Sequence, residues 1–196
     1  MTKWEPKEKR VSDIISAAME VFLEKGYEGT SMESIASKAG ISKGGLYHHF
    51  KSKDEILYYA NEKLTEPVYE LIKRTLKNTD VILGLEEYIK DYLYYWTQHQ
   101  TELTFFFLTM TKALSCPETW GYFDEYCQGM IDFFEKIFKA GIETGKFIKH
   151  NTKAQAVMLM TALDGSLGYL PMCSSLEVNS MVDHFVEVFI KPISKH

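Results

Sequence analysis

The stretch TSMESIASKAGISKGGLYHHFKSKDEIL, residues 30–57, constrains this chain more than any other. Side chains able to cap a helix stand at Thr30, Ser42 and Ser52, so three helix starts crowd into about 25 residues. Thr30, followed three residues later by Glu33, reads as a capping box opening a short helix that Gly40 closes. Ser42 caps a second helix running through Phe50, and Ser52 with Glu55 forms another capping box that opens a longer one. Helices this short are unstable alone in water because nucleation is costly, so they need neighbours to pack on. One lies just upstream, where Val11, Ile14, Ile15, Ala18, Val21 and Phe22 recur at helical steps on a segment that Gly26 is placed to end.

Two short helices separated by AGIS, the second carrying Lys, Gly, Tyr and His, have the form of a helix-turn-helix. Leu46 and Phe50, four apart, anchor one face of the second helix. The opposite face is left to Lys43, Gly44, Gly45, Tyr47 and His48. Two glycines weaken a helix, but they let its N-terminus lie close to DNA, where backbone amides and the helix dipole favour phosphate. Tyr47 can donate to a phosphate, and Lys43 or His48 can reach base edges. The alternatives are a packed Tyr47 and a solvated His48. A metal site at His48 and His49 is disfavoured because adjacent helical residues do not face each other.

The segment from IISAAMEVFLEKGYEGTS through Leu57 resembles the DNA-binding region of the TetR family of transcriptional regulators. The resemblance implies an all-α subunit with an N-terminal three-helix DNA-binding module and a larger C-terminal helical domain that dimerises and usually binds a small effector. It places Thr30 and Ser31 at a phosphate-facing helix start, and Lys43, Gly44, Gly45, Tyr47 and His48 on the DNA side. Lys53 falls at a position that commonly contacts phosphate, although a plain surface charge is the alternative. Ile35, Ala36, Ala39, Leu46 and Phe50 become core, with His49 half-buried. The domains are expected to be residues 1–53 and 54–196, and the partners double-stranded operator DNA and a second copy of the chain.

Charge follows the same division. The whole chain carries −5, but residues 1–53 hold nine Lys/Arg against seven Asp/Glu, so the acidity belongs to the remainder. Beyond Thr79 the apolar pattern keeps helical spacing, with helices expected over Val81–Gln100, Thr101–Leu114, Glu118–Thr144, Thr152–Leu170 and Leu176–Ile190, and no period-two strand between them. The preceding helix runs from Ser52 towards Lys77, with a kink expected at Pro67. No long uncharged apolar run and no leader pattern occur, so a cytoplasmic protein without a membrane partner is expected. Cys116, Cys127 and Cys173 suit buried thiols.

The second part is rich in aromatics: Tyr88, Tyr92, Tyr94, Tyr95, Trp96, Phe105, Phe106 and Phe107, then Trp120, Tyr122, Phe123, Tyr126, Phe133 and Phe134. This exceeds what one amphipathic face requires. A dense core and dimer interface account for many of them. A subset lining an apolar effector cavity is the functional reading, with candidates Tyr92, Tyr95, Trp96, His99, Phe106, Met110, Trp120, Phe123, Tyr126 and Asp164. Asp164, in apolar surroundings, needs a hydrogen bond to a helix end or hydroxyl, or a cationic ligand. In MLMTALDGSLGYL, Gly165 and Gly168 cost helix stability unless another backbone approaches. The stretch resembles a segment often found in the family's penultimate helix beside the dimer interface. With the broad apolar stripe Val178, Met181, Val182, Phe185, Val186, Phe189 and Ile190 of the final helix it is expected to form a four-helix bundle with the same helices of a second subunit.

An enzyme is the competing class. DGSLG at 164–168 misses G-x-S-x-G by its first residue and sits in a helical pattern, and H-E-x-x-H, the P-loop and G-x-G-x-x-G are absent. No catalytic residue, metal or cofactor is expected. The expected function is a ligand-responsive, homodimeric repressor released from a pseudo-palindromic operator. A constitutive DNA binder or a helical protein-interaction dimer remains the alternative.

Overall fold

The computed structural model describes residues 7–117 and 120–195, and among them the only extended pairing is a single bridge between Phe147 and Ser194. All else is helix and turn. Helix α1 spans Lys7–Gly29 and buries Ile14, Ile15, Ala18, Val21 and Phe22. It is interrupted at Gly26, whose φ of 69° suits glycine far better than an L side chain. Helix α2 is Met32–Lys38 and α3 is Lys43–His49.

The capping of α2 differs from expectation. Its N-cap is Ser31, whose hydroxyl accepts from Ser34 N at 3.1 Å while Ser34 Oγ accepts from Ser31 N at 3.0 Å. The Thr30–Glu33 box fails because Thr30 turns inward, 3% exposed, and donates its hydroxyl to the Gly26 carbonyl at 2.7 Å. In α3, Ser42 Oγ accepts from Gly45 N at 3.0 Å, and Leu46 and Phe50 are buried as expected. Ala39, expected in the core, is only half-buried at the C-cap of α2.

Helix α4, Lys53–Lys77, is continuous through Pro67. Ser52 Oγ accepts from Glu55 N, while the Glu55 carboxylate reaches back one residue further than a capping box requires, to Lys51 N at 2.6 Å. Then follow α5 (Val81–Gln98), α6 (Gln100–Leu114), α7 (Trp120–Glu143), α8 (Thr152–Tyr169) and α9 (Val178–Phe185). His99, with φ −116° and ψ 61°, separates α5 from α6. The expected start of the seventh helix at Glu118 lies outside the described residues, as does the side chain of Tyr122. The last helix does not run regularly to Ile190: a π-helical turn occupies Val186–Ile190 and a 3₁₀ turn Lys191–Ile193.

Two compact units result. The first comprises Met1–Glu66 and Thr104–Pro117, and the second Pro67–Leu103 and Glu118–His196. The sequence-based division after Lys53 separates the motif alone, whereas packing assigns the first turns of α4 to the same unit. Ile56, Leu57 and Ala60 are fully buried there, and Phe105 meets the Phe22 ring edge-on at 6.0 Å. The second unit is centred on Tyr88, Ile89, Tyr92 and Leu93 of α5, Phe133, Phe134 and Phe138 of α7, and Leu159, Leu163 and Leu167 of α8. Phe147 closes its end so tightly against α7 that a Cβ on Gly141 would lie 2.0 Å from the ring. No described helix is long and apolar enough to cross a membrane.

Candidate nucleic-acid interface and effector region

Helix α3 presents the face that its sequence implies. Leu46 is fully buried, and Phe50 meets the Tyr59 ring of α4 at 5.5 Å. Lys43, Gly44 and His48 are exposed, Tyr47 is 46% exposed, and His49 is half-buried. The two glycines differ in their surroundings. A Cβ at Gly45 would lie 3.2 Å from Ser42 Oγ, the group that caps α3, whereas a Cβ at Gly44 would meet nothing within 4 Å. Packing inside the protomer explains the first glycine in part. It does not explain the second.

Lys43 forms an exposed ion pair with Glu33 of α2, and its ammonium stands 5.9 Å from the Tyr47 ring centre. Hydrogen bonding within the pair raises the Lys43 pKa and lowers that of Glu33. Ser31 is exposed at the start of α2, but the Thr30 hydroxyl faces inward and is unsuited to phosphate. Lys53 also points into the protein. Its ammonium donates to the carbonyls of Tyr27 at 2.9 Å and Thr30 at 3.2 Å, where α1 ends, and lies 4.1 Å from the Tyr27 ring centre.

Tyr27 escaped the sequence reading. Its hydroxyl donates to Asp54 Oδ1 at 2.5 Å, and burial, then this bond, raises the phenol pKa. Lys112 of α6 lies 4.3 Å from the ring centre, and Phe22 stacks parallel to it. One residue thus joins α1, α4 and α6 within the first unit. Its partners lie 26 to 85 residues away along the chain in Lys53, Asp54 and Lys112, a separation without local periodic signal.

In the second unit the structure brings together Tyr92, Tyr126 and Asp164. Tyr92 donates to Asp164 Oδ1 at 2.6 Å, the hydroxyl partner that the sequence left as one alternative for this carboxylate. Burial pushes the Asp164 carboxyl up to about 6, opposed by the Tyr92 bond. The Tyr126 phenol is raised by burial and then by the charge of Asp164. Tyr88, fully buried, stacks on Tyr92 and has no hydrogen-bond partner for its hydroxyl. Tyr95 packs on Trp96 and on His99, whose Nδ1 lies 2.7 Å from the Tyr95 carbonyl.

The remaining candidates scatter. Trp120 is 55% exposed at the start of α7, and Phe123 is half-buried. Phe106, buried, and Met110, half-buried, belong to the first unit and not to the unit that holds the others. A surface groove of 610 Å³ in the second unit, lined by residues including Leu83, Glu86, Asp183 and Glu187, contains none of the aromatic candidates. No cluster among the described residues has three side chains suited to a metal ion.

Helix α8 has apolar residues on opposite sides. Ala156, Leu159, Leu163 and Leu167 are buried, while Met158 and Tyr169 are 58% and 66% exposed. Gly165 is exposed, and a Cβ there would meet nothing within 4 Å. The close backbone approach that would explain Gly165 is therefore not made within the protomer.

Residues 14–60 match the model of bacterial regulatory proteins of the tetR family, and residues 73–195 match that of the QacR-like protein C-terminal region. The chain is similar to an HTH-type transcriptional regulator of Staphylococcus aureus strain USA300, 30% identical over 168 residues, covering 81% of this chain and 78% of the relative. It is 38% identical to the HTH-type transcriptional regulator PksA of Bacillus subtilis over 89 residues, so that the match spans only 43% of each chain. Among solved structures, NalD of Pseudomonas aeruginosa, the secondary repressor of the MexAB-OprM multidrug efflux pump, superposes with a TM-score of 0.80 at 20% identity, covering 97% of this chain and 99% of NalD.

Proposed function

The chain belongs to the tetR family of bacterial regulatory proteins, and from that premise we propose that it is a homodimeric DNA-binding repressor, released from a pseudo-palindromic operator by a small, largely apolar or aromatic effector. The observation that carries the DNA-binding part is the exposed face of α3. Gly44 weakens that helix without any neighbour in the protomer that needs the space. A close approach from outside accounts for it, with Tyr47 donating to phosphate and Lys43 or His48 reaching base edges. Ser31 joins this set at the start of α2, and Gly45 lines the same approach. The Thr30 hydroxyl and Lys53 act within the protein, positioning the turn between α1 and α2.

Two copies meet through α8 and α9, covering Met158, Gly165 and Tyr169 and setting two α3 helices roughly 34 to 36 Å apart for successive major grooves. The effector binds in the aromatic second unit around Tyr92, Tyr126 and Asp164. Release requires the effector to bind better to a conformer with the wrong spacing. Helices α4 and α6 run unbroken across the division between the units, at Glu66/Pro67 and Leu103/Thr104, and are the routes for that change.

The test is fluorescence anisotropy of the purified protein on DNA from immediately upstream of its own gene and on a shuffled duplex, at two salt concentrations. Specific binding that weakens steeply with salt and is lost in Tyr47→Ala is the expected result. Equal affinity for both duplexes, or a Tyr47→Ala variant that binds normally, would overturn the proposed reading face.

A further inference from the structure

Glu33 is the sole acidic residue between Thr30 and Lys53, and it stands beside the face proposed for DNA. Its carboxylate is exposed, in the first turn of α2, and holds the ammonium of Lys43, the first residue of α3. An exposed pair of this kind contributes little to folding, because water already solvates both charges and two long side chains must be ordered. The reciprocal bond of the α2 cap is closed by Ser34 with Ser31, so Glu33 is not the capping-box partner, although, after the bond to Lys43, hydrogen bonds to its own amide and to Ser31 also hold its carboxylate in the ionised form. A carboxylate so placed is a cost to any surface that simply seeks phosphate.

We propose that Glu33 is a specificity-determining residue for DNA binding: it holds Lys43 towards the base edges and repels phosphate, trading non-specific affinity for sequence discrimination. Lys43 has two possible uses at a DNA surface. Freed from Glu33, its flexible ammonium takes the nearest phosphate, a contact that every sequence offers. Held by Glu33, it is neutralised towards phosphate at a distance and keeps its remaining N–H donors for a guanine edge, which only some sequences offer. Rejection of wrong partners through a built-in repulsive group is a general route to specificity. The nearby cation Lys38 does not substitute, because it pairs with Glu20 of α1.

This inference rests on α3 being the reading face, so the experiment separates the two. Binding sites are recovered by selection from random duplexes. Dissociation constants are then measured for wild type, Glu33→Gln, Lys43→Met, the double variant and Tyr47→Ala, on the recovered site and on a shuffled duplex, at 50 and 200 mM salt. Helical circular dichroism checks each fold. Glu33→Gln is expected to bind shuffled DNA roughly three- to tenfold tighter, with the salt slope steeper by about one ion, while the recovered site gains less, so the specificity ratio falls. With Lys43→Met already present, Glu33→Gln should leave that ratio nearly unchanged. Equal gains on both duplexes, or no gain on either, overturn the role given to Glu33. If Tyr47→Ala also binds normally, the reading face itself is wrong; if Tyr47→Ala fails to bind while the Glu33→Gln ratio stays constant, only the present inference fails.

Discussion

Gly44→Ala should move stability and DNA affinity in opposite directions. Gly44 lies in the first turn of α3, has no positive φ, and leaves open space where a Cβ would stand. The methyl group therefore meets no clash in the free protein and removes the backbone freedom that glycine retains in the unfolded chain. The expected gain is about 0.5–1 kcal/mol, or roughly 1–4 °C in Tm for a chain of this size. At the proposed DNA surface the same methyl would occupy the gap through which the helix backbone is to approach phosphate. Overpacking of a tight contact costs ~1–3 kcal/mol, which corresponds to roughly a 5- to 150-fold rise in Kd. Urea denaturation at matched protein concentration, since the dimer makes stability concentration-dependent, and anisotropy on the recovered operator read the two effects separately. A variant that is more stable yet binds DNA as wild type does would refute the idea that Gly44 exists for close approach. One that is less stable would refute the local geometry of α3.

Lys53→Met should act through the fold, because it removes the donor shared by the Tyr27 and Thr30 carbonyls; a loss of about 1–3 kcal/mol in denaturation is expected, and unchanged stability with weakened DNA binding would restore Lys53 to the phosphate contacts. Asp164 has its folded-state pKa raised to about 6, so its contribution to stability is fully present below about pH 4 and is lost as pH rises through 6, by at most about 3 kcal/mol. Asp164→Asn should flatten that part of the stability profile between pH 4 and 7, and an unaltered slope would show that the carboxyl is not held in a poorly solvated site. Gly141→Ala should destabilise by about 1–3 kcal/mol or more, since its methyl would overlap the Phe147 ring; a neutral effect on thermal unfolding would contradict that close packing.

Where a single residue and its near neighbours decide the outcome, the sequence was legible. Ser42 and Ser52 cap the helices they were expected to cap, and the four-residue spacing placed Leu46 and Phe50 correctly in the core, as the family resemblance did Ile35. The cap of α2 was expected at Thr30 and falls at Ser31, because the Gly26 carbonyl draws the Thr30 hydroxyl inward. The pairing of Lys53 with the Tyr27 and Thr30 carbonyls, and of Glu33 with Lys43, carried no local signal, as these partners lie across turns and on other helices. The aromatic second part was legible as helix but not as a site. Core packing and ligand lining draw on the same residue types, and only the fold separated Phe106 and Met110 from Tyr92 and Asp164.

The most direct measurement of the central claim is sequencing of duplexes selected from a random pool by the purified, full-length protein, run in parallel with Tyr47→Ala. The account requires enrichment of a two-fold-related sequence whose half-site centres lie about 10 base pairs apart or a multiple of that, and its loss in the variant. An unenriched pool from a folded dimer, or the same enrichment from wild type and Tyr47→Ala, would contradict it.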